Sequence, residues 1–217
     1  MGYTGRASDS LKSRLLAHRG FWFSEPGFEG LRPNSAAAIE RASSEGFGLE
    51  TDIRDRGLKV AIEHDAFTNS GLYLEEILHL SFKGLVCLNV KSDGLGGRLK
   101  DMKIWNRAIY FDLSIPELLK FEGLGLPVAD RLSEYEKSGG DLRENIWLDA
   151  FVDEWWTVNL NLDDMLESGK NLIVVSPELH KRPHLSSWAY LKPLFYKYDN
   201  LHLCTDLPIS AYEFMRL

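Results

Sequence analysis

The chain has 217 residues, 44% hydrophobic and 12% aromatic, with a formal net charge of -7. That much apolar material supports one sizeable core and excludes a disordered chain. The negative balance argues against a nucleic-acid partner, which needs a basic face. No run approaches the ~18–20 apolar residues of a membrane span.

The polar stretch from Met1 to Arg14 has no apolar core of a leader, so no secretory signal is expected. Met1-Gly2 could open a myristoylation signal, but Arg6 stands where Ser or Thr is wanted. Cys87 and Cys204 lie in separate apolar runs and read as buried free thiols of a reducing, cytoplasmic compartment. Without a linker or low-complexity segment, residues 1–217 read as one domain.

Eight short apolar runs are predicted as strands, in chain order. They are Leu15–Ala17, Gly48–Ile53, Leu85–Val90, Ala108–Phe111, Leu126–Ala129, Asn145–Leu148, Asn171–Val175 and Asn200–Cys204. Lys59–Ile62 reads as an extra strand, a hairpin extending the second. Helices are expected over Ala36–Ala42 behind the capping pair Asn34-Ser35, and over Leu74–Leu78, Pro116–Phe121, Ser133–Glu136, Leu162–Leu166 and Ser187–Leu191. Near-continuous apolar strands alternating with helices indicate a parallel sheet covered on both faces. A compact (β/α)8 TIM barrel fits best, with an open doubly wound sheet as the alternative. The polar residues favour the barrel: His18, Asp52, Lys91, Asp112, Asp130-Arg131, Asp149, Glu178 and Asp206 each follow or end a run. In a barrel all such positions meet at one mouth, where chemistry resides.

The first 65 residues carry the sharpest pattern: His18-Arg19-Gly20, Glu50-Thr51-Asp52 and His64-Asp65. Side chains two apart on a strand face the same way, so Glu50 and Asp52 converge. Converging carboxylates need a cation between them, and oxygen ligands select Mg²⁺ or Ca²⁺ over zinc. Two histidines beside a hard cation suit phosphodiester cleavage, which needs one proton acceptor and one proton donor. Arg19 offers a guanidinium for bidentate phosphate capture, and Lys91 is a second phosphate contact or a partner of Asp52 or Asp93. Asn89 faces the same way as Lys91. Trp155-Trp156 either line the mouth or pack, and His180, Lys181, Arg182 and His184 form a basic loop that greets an anion or lies solvated.

His18-Arg19-Gly20, Asn34-Ser35, Glu50-x-Asp52, His64-Asp65, Lys91 and Thr205-Asp206-Leu207-Pro208 together resemble the glycerophosphodiester phosphodiesterases, in the superfamily with phosphatidylinositol-specific phospholipase C. The resemblance spans the chain and is sharpest over residues 15–65. It implies a metal-dependent barrel that hydrolyses glycerophosphodiesters to glycerol 3-phosphate and an alcohol. It implies His18 and His64 as general acid and base, Glu50 and Asp52 on a divalent cation (Mg²⁺, Ca²⁺ or Mn²⁺), and Arg19 and Lys91 on the phosphate. Some relatives form a cyclic phosphate, so a lyase is an alternative, as is a barrel that binds phosphodiesters or phosphosugars without turnover. Three departures stand out. Arg32-Pro33-Asn34-Ser35 lacks the family's glutamate. Asn89 replaces the acid that is the third metal ligand, so the metal should bind more weakly. The segment Ala66–Gly71 is short where the family carries an insertion, which implies a more open site. The substrate is either a lipid breakdown product or a glycerophosphate on a polysaccharide.

Overall fold

The computed structural model describes residues 10–20, 27, 30–102, 104–136 and 141–217. The expectations for Met1, Gly2 and Arg6, and the polar stretch over 1–9, lie outside the described residues. Nine strands form one sheet: β1 (Leu15–His18), β2 (Gly48–Arg56), β3 (Lys59–Ile62), β4 (Val86–Val90), β5 (Ala108–Phe111), β6 (Ala129–Leu132), β7 (Asn145–Leu148), β8 (Asn171–Val175) and β9 (Leu201–Thr205). The order β5-β4-β2-β1-β9-β8-β7-β6 is parallel throughout, and β3 folds back antiparallel on β2. A single parallel bridge, Tyr110 to Val128, joins the two ends, where the Tyr110 N–H donates to the Pro127 carbonyl at 2.9 Å. The result is a nearly closed (β/α)8 barrel of eight parallel strands, and β3 is the predicted hairpin.

The helices are α1 (Ala36–Glu45), α2 (Leu74–Ile77), α3 (Gly96–Asp101), α4 (Ile115–Gly123), α5 (Trp156–Asn159), α6 (Leu162–Glu167), α7 (Leu185–Lys197) and α8 (Pro208–Arg216). α1 begins where Ser35 accepts the Ala38 N–H and ends at Gly46, whose φ of 83° a side chain would resist. Gly20 is needed for a different reason. Its φ is +80°, and a Cβ there would lie 2.7 Å from the Ala38 carbonyl carbon. Glycine therefore lets the β1 turn press directly on α1.

The barrel interior is filled by Leu16, Cys87, Ile109, Phe111, Ala129, Trp147, Ile173, Val175 and Cys204. Phe111 and Trp147 stack there at 3.8 Å between ring centroids. Larger apolar clusters seal the strands to the surrounding helices. Cys87 and Cys204 are buried free thiols, as expected. Among the described residues no helix is long and apolar enough to cross a membrane.

Two expectations fail locally. The sixth strand begins at Ala129 rather than Leu126. Pro127 has no N–H to give a ladder, and pairing with β7 starts only at Ala129 opposite Asn145. Ser133–Glu136 is a tight turn rather than a helix: the Ser133 and Glu136 backbones bond each other, at 3.1 and 3.2 Å. The Ser133 hydroxyl accepts the Tyr135 and Glu136 N–H groups, a local alternative to helix formation. Helices α3, α5 and α8 arise where none was expected.

Candidate active site

Strand register assembles the site. In parallel pairing His18 lies opposite Glu50, and Asp52 lies opposite Asn89. Neighbouring strands thus bring four polar side chains to adjacent positions at one end of the barrel. Around them is a cavity of about 260 Å³, lined among others by His18, Arg19, Glu50, His64, Asn89 and Lys91. Asp52 sits beneath it, 1% exposed. Non-glycine residues with left-handed backbones gather at this end, among them Arg19, Asn34 and Asp112, with φ of 55°, 60° and 65°. Such conformations are costly and cluster where structure serves a site.

His18 is clamped. Its Nδ1 lies 2.6 Å from Asp206 Oδ1, and its Nε2 lies 3.7 Å from Glu50 Oε2. Burial alone would lower its pKa, but the Asp206 hydrogen bond and the charges of Glu50 and Asp206 outweigh it, so the pKa is raised. Glu178 braces this pair. It accepts hydrogen bonds from the Thr205 hydroxyl and, at 3.2 Å, from the Asp206 N–H. His184 stands 3.9 Å away on its other oxygen.

Glu50 accepts the Arg19 N–H at 3.2 Å. Its pKa is pushed up to about 7, first by burial and then by the charge of Asp52. Asp52 faces the cations: Oδ2 lies 2.9 Å from Arg19 Nε, and Oδ1 lies 3.6 Å from Lys91 Nζ. Asn34 is the bracket behind it. Its amide donates to Asp52 Oδ2 at 2.8 Å, while its carbonyl oxygen accepts the Thr51 hydroxyl at 2.8 Å. The sequence placed Asn34 in a helix cap and in the family-like motif but gave it no role at the site; the signal was an asparagine, which tolerates a left-handed backbone, just before the cap.

Among the described residues no three His, Cys, Asp or Glu side chains converge on one point. Two buried oxygens, Asp52 Oδ1 and Asn89 Oδ1, nevertheless have no hydrogen-bond partner. Orphaned buried acceptors are expensive, and a hard cation would satisfy them. Glu50, Asp52 and Asn89 therefore fit such an ion, with one neutral oxygen among the three.

His64 reaches the cavity from the rim, 2.7 Å from Asp65 and half exposed. Lys91 pairs with Asp112 at 3.3 Å as well as with Asp52. The far wall carries residues whose roles the sequence left open. His180 Nε2 bonds Asp149 Oδ1 at 2.7 Å, and Arg131 pairs with both Asp112 and Glu136. The basic loop is mostly neutralised by partners: Arg182 pairs with Glu154 at 2.7 Å. Trp156 packs, fully buried, in the outer core rather than lining the mouth.

Among solved structures, a glycerophosphodiester phosphodiesterase from Parabacteroides distasonis ATCC 8503 matches with a TM-score of 0.56 at 17% identity, covering 94% of this chain and 97% of that one. The fold is that of a glycerophosphodiester phosphodiesterase. A glycerophosphoryl diester phosphodiesterase from the same organism matches with a TM-score of 0.50 at 13% identity, covering 97% of this chain and 91% of that one. No family model and no curated protein sequence matches the chain.

Proposed function

We propose that the chain is a metal-dependent phosphodiesterase that hydrolyses a glycerophosphodiester-type substrate to glycerol 3-phosphate, or another phosphomonoester, and an alcohol. One observation carries the reading: His18, Glu50, Arg19 and Lys91 line one cavity at the mouth of the barrel, over the buried Asp52 and Asn89. The phosphate is anionic, and Arg19 and Lys91 are the cations on this wall. Glu50, Asp52 and Asn89 would hold Mg²⁺, Ca²⁺ or Mn²⁺, which when bound neutralises phosphate charge as it grows in the transition state.

His18 is suited to give a proton. Asp206 fixes its ring through Nδ1, and the same contact raises its pKa, which favours the protonated, proton-donating ring. The proton goes to the departing alkoxide oxygen. His64, which also lines the cavity, would take the proton of the attacking water. The Asp65 carboxylate on its Nδ1 orients that ring. The fold shared with two phosphodiesterases supports the phosphodiesterase reading as a whole.

The test is hydrolysis of a glycerophosphodiester with Mg²⁺, Ca²⁺ or Mn²⁺ in turn, followed by phosphorus NMR. A linear phosphomonoester is the expected product. A cyclic phosphate would make the protein a lyase, and no product with any ion would leave a binding barrel.

A further inference from the structure

The floor of the barrel, at the end opposite the mouth, carries a polar cluster that the proposed chemistry does not use. The two-residue strand period places it. Leu16, Ile109 and Cys204 fill the interior, so the positions two before them, Arg14, Arg107 and His202, belong to the layer beneath. Arg14 stands beside His202: Leu15 pairs with Leu203, and the Leu203 N–H donates to the Arg14 carbonyl at 3.1 Å. Both residues are buried, 9% and 8% exposed. Each holds a buried nitrogen without a hydrogen-bond partner, Arg14 Nε and His202 Nδ1. The Arg14 guanidinium is anchored at one corner, where Nη1 donates to the Phe195 carbonyl at 2.8 Å and to the Tyr198 carbonyl at 2.6 Å, under the end of α7. Arg107 is exposed and donates to the Lys83 carbonyl at 3.1 Å. Among the described residues neither guanidinium forms an ion pair, although the charge of the exposed Asp199 reaches Arg14.

We infer that this floor is a binding site for a small oxyanion of the phosphate or sulfate type. Two orphaned buried nitrogens at neighbouring positions cost free energy unless one group accepts from both. Arg14 Nε is a permanent donor. Burial pushes the His202 pKa down to about 3, and the charges of Arg14 and Arg107 act in the same direction, so the ring is neutral and carries one N–H. In its Nδ1–H tautomer it donates beside Arg14 Nε. An oxyanion accepts both bonds, and Arg107 answers its charge from the solvent side. A cation would be repelled by both guanidiniums. A water would take the two hydrogen bonds but leave both charges unanswered. Arg19 and Lys91 line the mouth at the other end of the barrel, so the floor is a separate site and stands whether or not the mouth cleaves phosphodiesters.

The test is NMR of the wild-type protein, following the His202 ring signals, which are assigned by their loss in His202→Gln. Sodium sulfate or sodium phosphate replaces sodium chloride at constant ionic strength. The expected result is a saturable shift of those signals with the oxyanion and none with chloride. A response to only one of the two oxyanions supports the site and names its ligand. Arg107→Gln changes an exposed side chain, so the fold is kept, and it should weaken the midpoint by about tenfold, the worth of one charged hydrogen bond. Arg19→Ala, at the mouth, should leave the midpoint within about twofold, as distant sites are independent. No shift with either oxyanion would mean that water fills the floor and would overturn the site. A midpoint unmoved by Arg107→Gln, or a shift abolished by Arg19→Ala, would overturn it as well, the latter by tracing the response to the mouth.

Discussion

The two walls of the barrel mouth use charge in opposite ways. The wall from β1, β2 and β4 concentrates it: Glu50 and Asp52 are 1% exposed, with Arg19 and Lys91 held close to Asp52. The wall from β5 to β8 spreads it through pairs, Arg131 with Asp112 and His180 with Asp149, closer to solvent. Concentrated charge shifts pKa values and suits bond breaking. Paired charge presents fixed donors and acceptors and suits recognition. Losses on the first wall should therefore fall on kcat, and losses on the second on discrimination between alcohols.

The largest effect should follow His18→Ala, a loss of about 10²–10⁴-fold in kcat, since a positioned proton donor supplies that much. A loss below tenfold, read by steady-state kinetics, would remove His18 from the chemistry. Next comes Asp206→Asn, which keeps shape but weakens the hold on the His18 ring. We expect a loss of about 10–100-fold, with the pH limb assigned to His18 moved to lower pH. A fall in kcat with no movement of that limb would give Asp206 a merely structural role.

The third prediction concerns stability of the metal-free protein. The Glu50 pKa is raised to about 7 in the fold from its ordinary 4.5. The folded state then binds more protons than the unfolded one between those values, so stability falls as pH rises across that window. His18, also raised, pushes in the same direction as pH passes its folded pKa. The melting temperature should therefore decline from pH 4.5 to above 7, Glu50→Gln should flatten the decline, and Mg²⁺ should restore stability at the upper end. A melting temperature that rises through this window would contradict the burial of Glu50. Fourth, Asn89→Asp should tighten Mg²⁺ binding by about tenfold, because a carboxylate replaces a neutral oxygen. Isothermal titration would read unchanged affinity if Asn89 lies outside the ligand set. The smallest effect belongs to Gly20→Ala. Its Cβ would meet the α1 backbone at 2.7 Å, and we expect a loss above about 1 kcal/mol in denaturant unfolding.

The contrast between the walls also divides what the sequence could reveal. The first wall was legible because each strand carries its own signature: His18-Arg19, Glu50-x-Asp52 and Asn89-x-Lys91 each need only the two-residue strand period. The strands at Ala108–Phe111, Asn145–Leu148 and Asn171–Val175 were legible to the residue, because unbroken apolar runs end in polar positions. The second wall was not. Asp149 and His180 are 31 positions apart, Arg131 and Asp112 are 19 apart, and only barrel closure joins them. Glu178 was visible as a polar residue near a strand end, but its brace on Asp206 depends on how β8 and β9 align. Asn34 was hidden by a second plausible duty, since an asparagine before a helix also reads as a cap.

The most direct test of the central claim is a single assay: glycerophosphodiester turnover by the wild-type protein with Mg²⁺, with EDTA, and by His18→Ala with Mg²⁺. The account predicts turnover in the first case and near-complete loss in the other two. Turnover that survives both the chelator and the substitution would contradict it.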